Sequence, residues 1–236
     1  MLFRSVRKMK ILASDFDNTL YIKNENELNK NILALKKYLS KGNLFCIITG
    51  RSYTSVKELL NKYQIPYSYL ICEDGATLFN NLDYCIYTTL LNATEVEKVQ
   101  KIFTDNNTEC LLEDGYNITE NKSDCTKVIA TYKDRTLAEK IVKELHEKTN
   151  TYSYISTEHI NVISNATNKE VALKKLIELE NLSSAELYVI GDDINDLEML
   201  RTFNGAIMKK HHPLLSDLSK KEYEYLYEYL EELIND

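Results

Sequence analysis

The amino-acid sequence predicts an α/β protein with a Rossmann-like, doubly wound parallel sheet and an inserted α+β segment. Short apolar runs alternate with helix-period segments through the first third of the chain, and the same alternation returns near its end. This alternation is typical of a parallel sheet that helices cover on both faces. Between these parts the pattern changes, which predicts a core of residues 1–80 and 165–236 and an inserted domain of residues 81–164.

The first third of the chain contains three predicted strands. Lys10–Ser14 is a strand that ends at Asp15, Leu44–Ile48 is the second and Tyr69–Cys72 is the third. Apolar residues at helical spacing separate them, namely Leu28, Ile32, Leu35 and Leu39, then Val56, Leu59, Leu60 and Tyr63. This spacing predicts two amphipathic helices, the second of which begins after Ser52 as its N-cap.

The last third of the chain repeats this order. Leu187–Ile190 and Ala206–Met208 are predicted strands. The predicted helices carry Val171, Leu173, Leu176 and Ile177 before the first of these strands, and Leu197 and Leu200 after it. From residue 220 the tail places Tyr223, Leu226, Leu230 and Leu233 on one helical face. We expect this helix to close the core, with a partner-binding helix as the alternative.

The inserted segment has a different pattern. Ile86–Thr89, Val128–Tyr132 and His159–Ile163 are predicted strands, and they surround two predicted helices near residues 94–105 and 136–148. A segment of this length is a reasonable size for a small α+β domain.

Composition and charge exclude several classes of protein. The net charge is −7 and no basic stripe occurs, which disfavours binding to nucleic acid or to an anionic membrane. No run approaches the ~20 apolar residues of a membrane helix. The 5 cysteines form no CxxC pair, so we expect reduced thiols and a cytoplasmic protein. Since Met9 is a natural start, we expect the first eight residues to be an extension.

Polar segments follow the carboxyl ends of three predicted strands. They are Asp15-Phe16-Asp17-Asn18-Thr19, Thr49-Gly50-Arg51 and Gly191-Asp192-Asp193-Ile194-Asn195-Asp196. Each segment alone is weak: Asp192 and Asp193 could simply cap a helix, and Arg51 could face solvent. Ligands bind outside the carboxyl ends of an open parallel sheet, so the three segments together predict one polar cleft.

With these motifs the chain resembles the haloacid dehalogenase-like (HAD) hydrolase superfamily. The first motif is Asp15 to Leu20, the second is Thr49, the third is Lys169 and the fourth runs from Gly191 to Leu200. The late insertion is similar to that of the Cof-like branch, which has a type 2 cap. The chain departs from the family at Asp74, where Asn is usual, at Glu170, where Gly is common, and in the loop from Lys209 to Pro213.

The resemblance implies a phosphatase that forms an aspartyl-phosphate. It gives Asp15 as the nucleophile and Asp17 as the general acid and then the general base. It implies Mg²⁺, held by the carboxylates of Asp15 and Asp192 and by the backbone carbonyl of Asp17, with Asp196 contacting it through water. Thr49, the Gly50 amide, Lys169 and Asn195 are then expected to bind the phosphate.

The expected substrate is a small phosphorylated metabolite, with sugar phosphates as the leading class by resemblance. A phosphomutase with the same aspartates and a catalytically idle phosphometabolite-binding protein are the alternatives. A nucleic-acid phosphatase is disfavoured, because it needs a basic track. Lys169 could be one more solvated helix lysine, and His211 and His212 fit a solvated loop. The sequence leaves open whether the protein is a monomer or a dimer.

Overall fold

The computed structural model describes residues 8–219 and 221–236, so the predicted extension falls outside them except for Lys8. The strands are β1 (Lys10–Asp15), β2 (Leu44–Ile48), β3 (Tyr69–Cys72), β4 (Thr77–Asn80), β5 (Cys85–Thr88), β6 (Leu111–Glu113), β7 (Ile118–Thr119), β8 (Lys127–Thr131), β9 (Thr151–Ile155), β10 (His159–Ser164), β11 (Glu186–Gly191), β12 (Ala206–Met208) and β13 (Glu222–Tyr223). The helices are α1 (Glu25–Leu39), α2 (Tyr53–Tyr63), α3 (Ala93–Asp105), α4 (Arg135–Lys148), α5 (Lys169–Leu179), α6 (Leu197–Thr202) and α7 (Leu226–Asn235).

The larger sheet has eight strands in the order β13-β12-β11-β1-β2-β3-β4-β5. The first six of these are parallel to their neighbours, and β4 and β5 add an antiparallel edge. Every residue of β1 is buried because β1 lies at the centre of the sheet and helices cover both faces. The predicted α/β fold class with a parallel sheet is confirmed.

Alternate residues of the central strands pack against different helices. On one face, Leu12 and Phe45 belong to a core cluster that includes residues of α1, α2 and α7. On the other face, Ala13 and Cys46 pack with residues of α5 and α6. This alternation is the period of two that a pleated strand imposes. The predicted closing helix at the carboxyl terminus is confirmed from Leu226 onward, since α7 buries its apolar side in the first cluster. Tyr223, predicted on the same helical face, instead lies in β13, which pairs with β12 at the edge of the larger sheet.

The second sheet has five strands in the order β7-β6-β8-β10-β9 and is antiparallel throughout. Val128 and Val162 point from this sheet into a core shared with α3 and α4. The alternate residues Ile129 and Asn161, which are directly paired, therefore lie on the opposite face, together with Tyr154 beside Asn161.

The structure assigns one predicted strand differently. The sequence predicts a strand at Ile86–Thr89 within the inserted segment, but β5 pairs with β4 at the edge of the larger sheet. Strand pairing is a tertiary property that a short apolar run does not reveal. The five strands of the second sheet span Leu111–Ser164, and the domain boundaries at residues 80 and 165 stay a prediction. Within the described residues, none of the helices combines the length and apolar character needed to span a membrane.

Candidate active site

Asp15 lies at the carboxyl end of the central strand β1, at the base of a cavity. The cavity has a volume of about 610 Å³ and reaches from Asp15 and Asp192 to the second sheet. Asp15 is buried, and its Oδ1 accepts a 2.6 Å hydrogen bond from Lys169 Nζ. Lys169 is the first residue of α5, whose N-cap Asn168 accepts from the Val171 amide. The cap thus fixes the helix end that presents the lysine.

Three buried carboxylates meet at the carboxyl end of β1. Oxygen atoms of Asp15, Asp192 and Asp196 all lie within 4.8 Å of one another. Burial raises the pKa of Asp15 well above its usual range, and the charges of Asp196 and Asp192 raise it further while Lys169 opposes the rise. Burial, followed by the charge of Asp196, raises the pKa of Asp192 to about 7. Both shifts show that the cluster favours additional positive charge.

The hydrogen bonds of these carboxylates leave particular oxygens available. Asp192 Oδ1 accepts from the Thr19 hydroxyl at 2.7 Å, and Asp15 Oδ1 is taken by Lys169. Neither Asp15 Oδ2 nor Asp192 Oδ2 accepts a hydrogen bond from any residue in the described part of the chain. Two free carboxylate oxygens in a buried acidic cluster are suitable ligands for a hard divalent cation, so the residues fit such an ion.

Asp196 is engaged on both of its oxygens. Oδ1 accepts from Lys169 at 2.7 Å, and Oδ2 accepts from the backbone amides of Asp192 and Asp193 at 3.0 and 3.1 Å. Gly191 is required here, because a Cβ at that position would stand 2.4 Å from the Asp196 side chain. Asp196 therefore holds the loop that carries Asp192 and orients Lys169.

The side chain of Asp17 is not part of this cluster and is bound by Arg51. Its two oxygens accept from Nε and an Nη atom of Arg51, each at 2.7 Å, in a bidentate pair. The pair is partly exposed at the cavity, and Arg51 also donates to the Ser55 hydroxyl. Arg51, for which the sequence left a solvent-facing role open, is thus bound to the predicted acid–base residue.

Two of the residues predicted to bind phosphate, Gly50 and Asn195, line the same cavity. The Gly50 amide donates to none of the residues that the structure describes, whereas the Thr49 hydroxyl accepts from the Arg51 amide at 3.1 Å. Asn195 Nδ2 donates to Asp74 Oδ1 at 2.8 Å and to the Tyr154 hydroxyl at 3.2 Å. In this arrangement both amide hydrogens of Asn195 are already used.

Two buried residues at the site had no predicted role, Asp74 and Lys127. Lys127 Nζ donates to Asp74 Oδ2 at 3.0 Å and to the Gly50 carbonyl at 2.7 Å. The sequence signal for Asp74 was its departure from the family's usual Asn. Lys127 carried a weaker signal, a lysine at the start of an apolar strand.

The loop after β12 also lies beside the cleft. The His212 amide donates to the Asp192 carbonyl at 2.7 Å, and its ring accepts from the Leu214 amide. His211 Nδ1 is 2.7 Å from the Met208 carbonyl. The two imidazoles are thus engaged within their own loop. In the described residues, the one group of His, Cys, Asp and Glu side chains that is close enough to hold a metal is the carboxylate cluster.

The chain matches known proteins along nearly its whole length. The haloacid dehalogenase-like hydrolase family model matches residues 12–123 and 113–224. The chain is 23% identical to the 5-amino-6-(5-phospho-D-ribitylamino)uracil phosphatase of Bacillus subtilis, over 82% of this chain and 80% of that protein.

Solved structures share the fold. A HAD/COF-like hydrolase from Plasmodium vivax superimposes with a TM-score of 0.83 at 17% identity, covering 97% of this chain and 96% of that one. A HAD subclass IIB sugar phosphatase gives a TM-score of 0.80 at 17% identity, covering 95% and 99%. The family match establishes that the chain belongs to the haloacid dehalogenase-like hydrolases.

Proposed function

We propose that this protein is a Mg²⁺-dependent phosphatase that hydrolyses a small phosphorylated metabolite through an aspartyl-phosphate on Asp15. The observation that carries this proposal is that, among the described residues, only one of the two oxygens of the Asp15 carboxylate is hydrogen-bonded. Lys169 binds Oδ1 at 2.6 Å, while Oδ2 remains available at the base of the cavity. A carboxylate that is fixed by one oxygen presents the other to a phosphorus atom in a defined direction.

The proposed reaction has two displacements at phosphorus. In the first, Asp15 Oδ2 forms a bond to phosphorus as the bond to the leaving oxygen breaks, and Asp17 gives that oxygen a proton. In the second, Asp17 takes a proton from water, the water oxygen bonds to phosphorus, and the bond to Asp15 breaks to release phosphate. Because Arg51 holds both oxygens of Asp17, we propose that this ion pair loosens when Asp17 exchanges its proton.

The acidic cluster supports a role for Mg²⁺. The carboxylates of Asp15 and Asp192 would hold the ion, together with the Asp17 backbone carbonyl. Asp196 would contact the ion through water, because hydrogen bonds already engage both of its oxygens. When bound, the ion supplies positive charge for the phosphate and for the crowded carboxylates.

Four groups are proposed to bind the phosphoryl oxygens. The Thr49 hydroxyl and the Gly50 amide follow the carboxyl end of β2. Lys169 begins α5 and reaches Asp15 at the carboxyl end of β1. Asn195 is the fourth, and it can donate to phosphate when the Tyr154 hydroxyl gives up its 3.2 Å bond. Donors of this kind are most effective when they are fixed before the charge arrives.

The second sheet is proposed to select the leaving group. Its face opposite α3 and α4 lines the cavity with Tyr154, Asn161 and His159 beside the apolar Ile129. Hydroxyl, amide and imidazole groups can bind several hydroxyls of a small ligand. This lining supports a small metabolite, and we propose a sugar phosphate as the leading class. The similar proteins named above as a sugar phosphatase and a phospho-ribitylamino-uracil phosphatase point in the same direction.

The experiment is phosphate release from a panel of phosphorylated metabolites, with Mg²⁺ or with EDTA, for the wild type and Asp15→Asn. Release that requires both the metal and Asp15 is the expected result. Metal-independent release, or equal release by the variant, would contradict the proposal. Isomerisation of a sugar phosphate without release of phosphate would indicate a mutase instead.

A further inference from the structure

We propose that the Asp74–Lys127 ion pair positions the loop Thr49-Gly50-Arg51, which is called the phosphate-binding loop below. Lys127 is then a positioning residue that the inserted segment supplies to the core. Lys127 begins β8 of the second sheet, Asp74 follows β3, and Gly50 follows β2. One ammonium group, which donates to Asp74 at 3.0 Å and to the Gly50 carbonyl at 2.7 Å, therefore joins three separate segments. The inference rests on the proposed function in taking a phosphate group as the ligand at this loop.

The pair is fully withdrawn from solvent, which distinguishes it from ordinary surface ion pairs. The side chains of Lys127 and Asp74 are each 1% exposed. By comparison, Lys143 and Glu147 on α4 form a pair whose side chains are 79% and 60% exposed. Removing one member of a buried pair leaves an uncompensated charge in a medium of low dielectric constant, whereas an exposed partner is simply solvated.

Asp74 contacts two of the residues proposed to bind phosphate. Its Oδ1 accepts from Asn195 Nδ2 at 2.8 Å, and its backbone amide donates to the Thr49 carbonyl at 3.0 Å. A Cβ added to Gly50 would lie 3.2 Å from Asp74 Oδ1, so the carboxylate lies directly against this loop. Any movement of Asp74 would therefore displace the loop and Asn195 together.

Lys127 in turn fixes the orientation of the loop. By binding the Gly50 carbonyl it sets the Gly50–Arg51 peptide, whose Arg51 amide donates to the Thr49 hydroxyl. Two further hydrogen bonds join the turn between β6 and β7 of the second sheet to the core. The Tyr53 amide donates to the Gly115 carbonyl at 3.0 Å, and the Gly115 amide donates to Glu73 at 3.1 Å. Lys127 is thus anchored on the core from the side of the inserted segment.

The Asp74–Lys127 pair also sets the net charge beside the loop that is proposed to bind phosphate. Burial alone would raise the pKa of Asp74, but Lys127 and then Lys169 hold the pKa below its usual value. Asp74 is therefore an anion next to the loop that is proposed to bind another anion. Lys127 neutralises it, so that the phosphate meets no net repulsion from Asp74.

This arrangement predicts an ordering of phosphate affinity among three variants. Lys127→Met retains the apolar stem but exposes the ligand to an unbalanced Asp74, so inorganic phosphate should bind at least about tenfold more weakly. Asp74→Asn removes the repulsion and leaves an acceptor for Asn195, so phosphate should bind no more weakly than to the wild type. The double variant, with no charge at either position, should bind more tightly than Lys127→Met and more weakly than Asp74→Asn.

The experiment is calorimetric titration of the full chain with inorganic phosphate in the presence of Mg²⁺, with Lys143→Met as the matched control. The control removes an exposed lysine from the same inserted segment and should leave the affinity unchanged. Steady-state hydrolysis of p-nitrophenyl phosphate, measured in parallel, should show Lys127→Met raising KM more than it lowers kcat, which a general loss of folded protein would not do.

Two results would overturn the inference. One is wild-type phosphate affinity in folded Lys127→Met, and the other is a double variant that binds phosphate no more tightly than Lys127→Met does. If Lys127→Met does not fold, the comparison moves to the double variant against Asp74→Asn. Equal phosphate affinities there would overturn the inference as well. Because the titration requires no turnover, pair-dependent phosphate binding by a wild type that hydrolyses no ester would contradict only the proposed phosphatase function.

Discussion

Lys169 Nζ lies 2.6 Å from Asp15 Oδ1, although the two residues stand 154 positions apart in the chain. The contact joins the first residue of α5 to the last residue of β1. Lys169 has no exposed side-chain surface, and Asp196 binds the same ammonium group. The proposed nucleophile Asp15 is therefore held by a buried lysine at a capped helix end, and not by a flexible surface lysine.

Lys169→Met should lose most catalytic activity and should also destabilise the protein. Without the ammonium group, Asp15 and Asp196 lose their shared buried partner, which should cost on the order of 3 kcal/mol of the free energy of unfolding. Urea unfolding of the metal-free protein measures this loss. Lys174→Met is the control on the same helix, since its side chain is 56% exposed. Equal stability of the two variants would contradict the account of this contact.

Asp17→Asn should suppress both chemical steps while it leaves phosphate binding intact. The amide cannot carry the proton to the leaving oxygen or take it from water, so kcat should fall by at least about 100-fold. The backbone carbonyl proposed as a metal ligand is unchanged, so the Mg²⁺ requirement of the residual activity should persist. Pre-steady-state and steady-state phosphate release would measure both effects, and a kcat near that of the wild type would remove Asp17 from its proposed role.

The raised pKa of buried Glu73 predicts that the free energy of unfolding falls as the pH rises. Burial, aided by the charge of Glu113, raises the pKa of Glu73 to about 8 from an ordinary value of 4.5. The folded state therefore retains a proton that the unfolded chain releases, and the free energy of unfolding should fall between about pH 4.5 and pH 8. The upper bound is roughly 5 kcal/mol at ~1.4 kcal/mol per pKa unit.

Glu73→Gln tests this assignment. The neutral amide keeps one acceptor, for the Gly115 amide, and its NH2 group can donate to the Thr126 hydroxyl, so it should flatten the fall in stability with pH. Urea unfolding at pH 5 and pH 8 measures the difference. Glu147→Gln, at an exposed position on α4, should leave the wild-type slope unchanged. The same slope in Glu73→Gln would show that other buried carboxylates cause the dependence.

Much of the site could be predicted because its residues follow strands with clear apolar patterns. Asp15, Gly50 and Asp192 each stand at the carboxyl end of a parallel strand, and the topology of the sheet brings such ends together. Lys169 has no such signal in its own segment, where Lys174 and Lys175 are equally plausible by composition. Its prediction depended on the resemblance to a family.

The pairing of Lys127 with Asp74 could not be predicted in this way. Lys127 lies in the second sheet and Asp74 in the turn that follows β3 of the larger sheet, and the two are separated by 53 positions. Neither local periodicity nor strand order therefore places them together. The same limit applies to β5, whose apolar residues fit either sheet until its pairing with β4 is known. Sequence patterns predict the elements well, but contacts between the insert and the core depend on tertiary packing.

The most direct test of the central claim is chemical trapping of Asp15 during turnover. The wild type would be mixed with Mg²⁺ and a substrate found in the metabolite panel, quenched in acid within milliseconds, reduced with borohydride and mapped by mass spectrometry. An aspartyl-phosphate at position 15 would be reduced to homoserine in that peptide, and the product should be absent from Asp15→Asn and from enzyme without substrate. Full turnover with an unmodified Asp15 peptide at every quench time would contradict covalent catalysis by this residue.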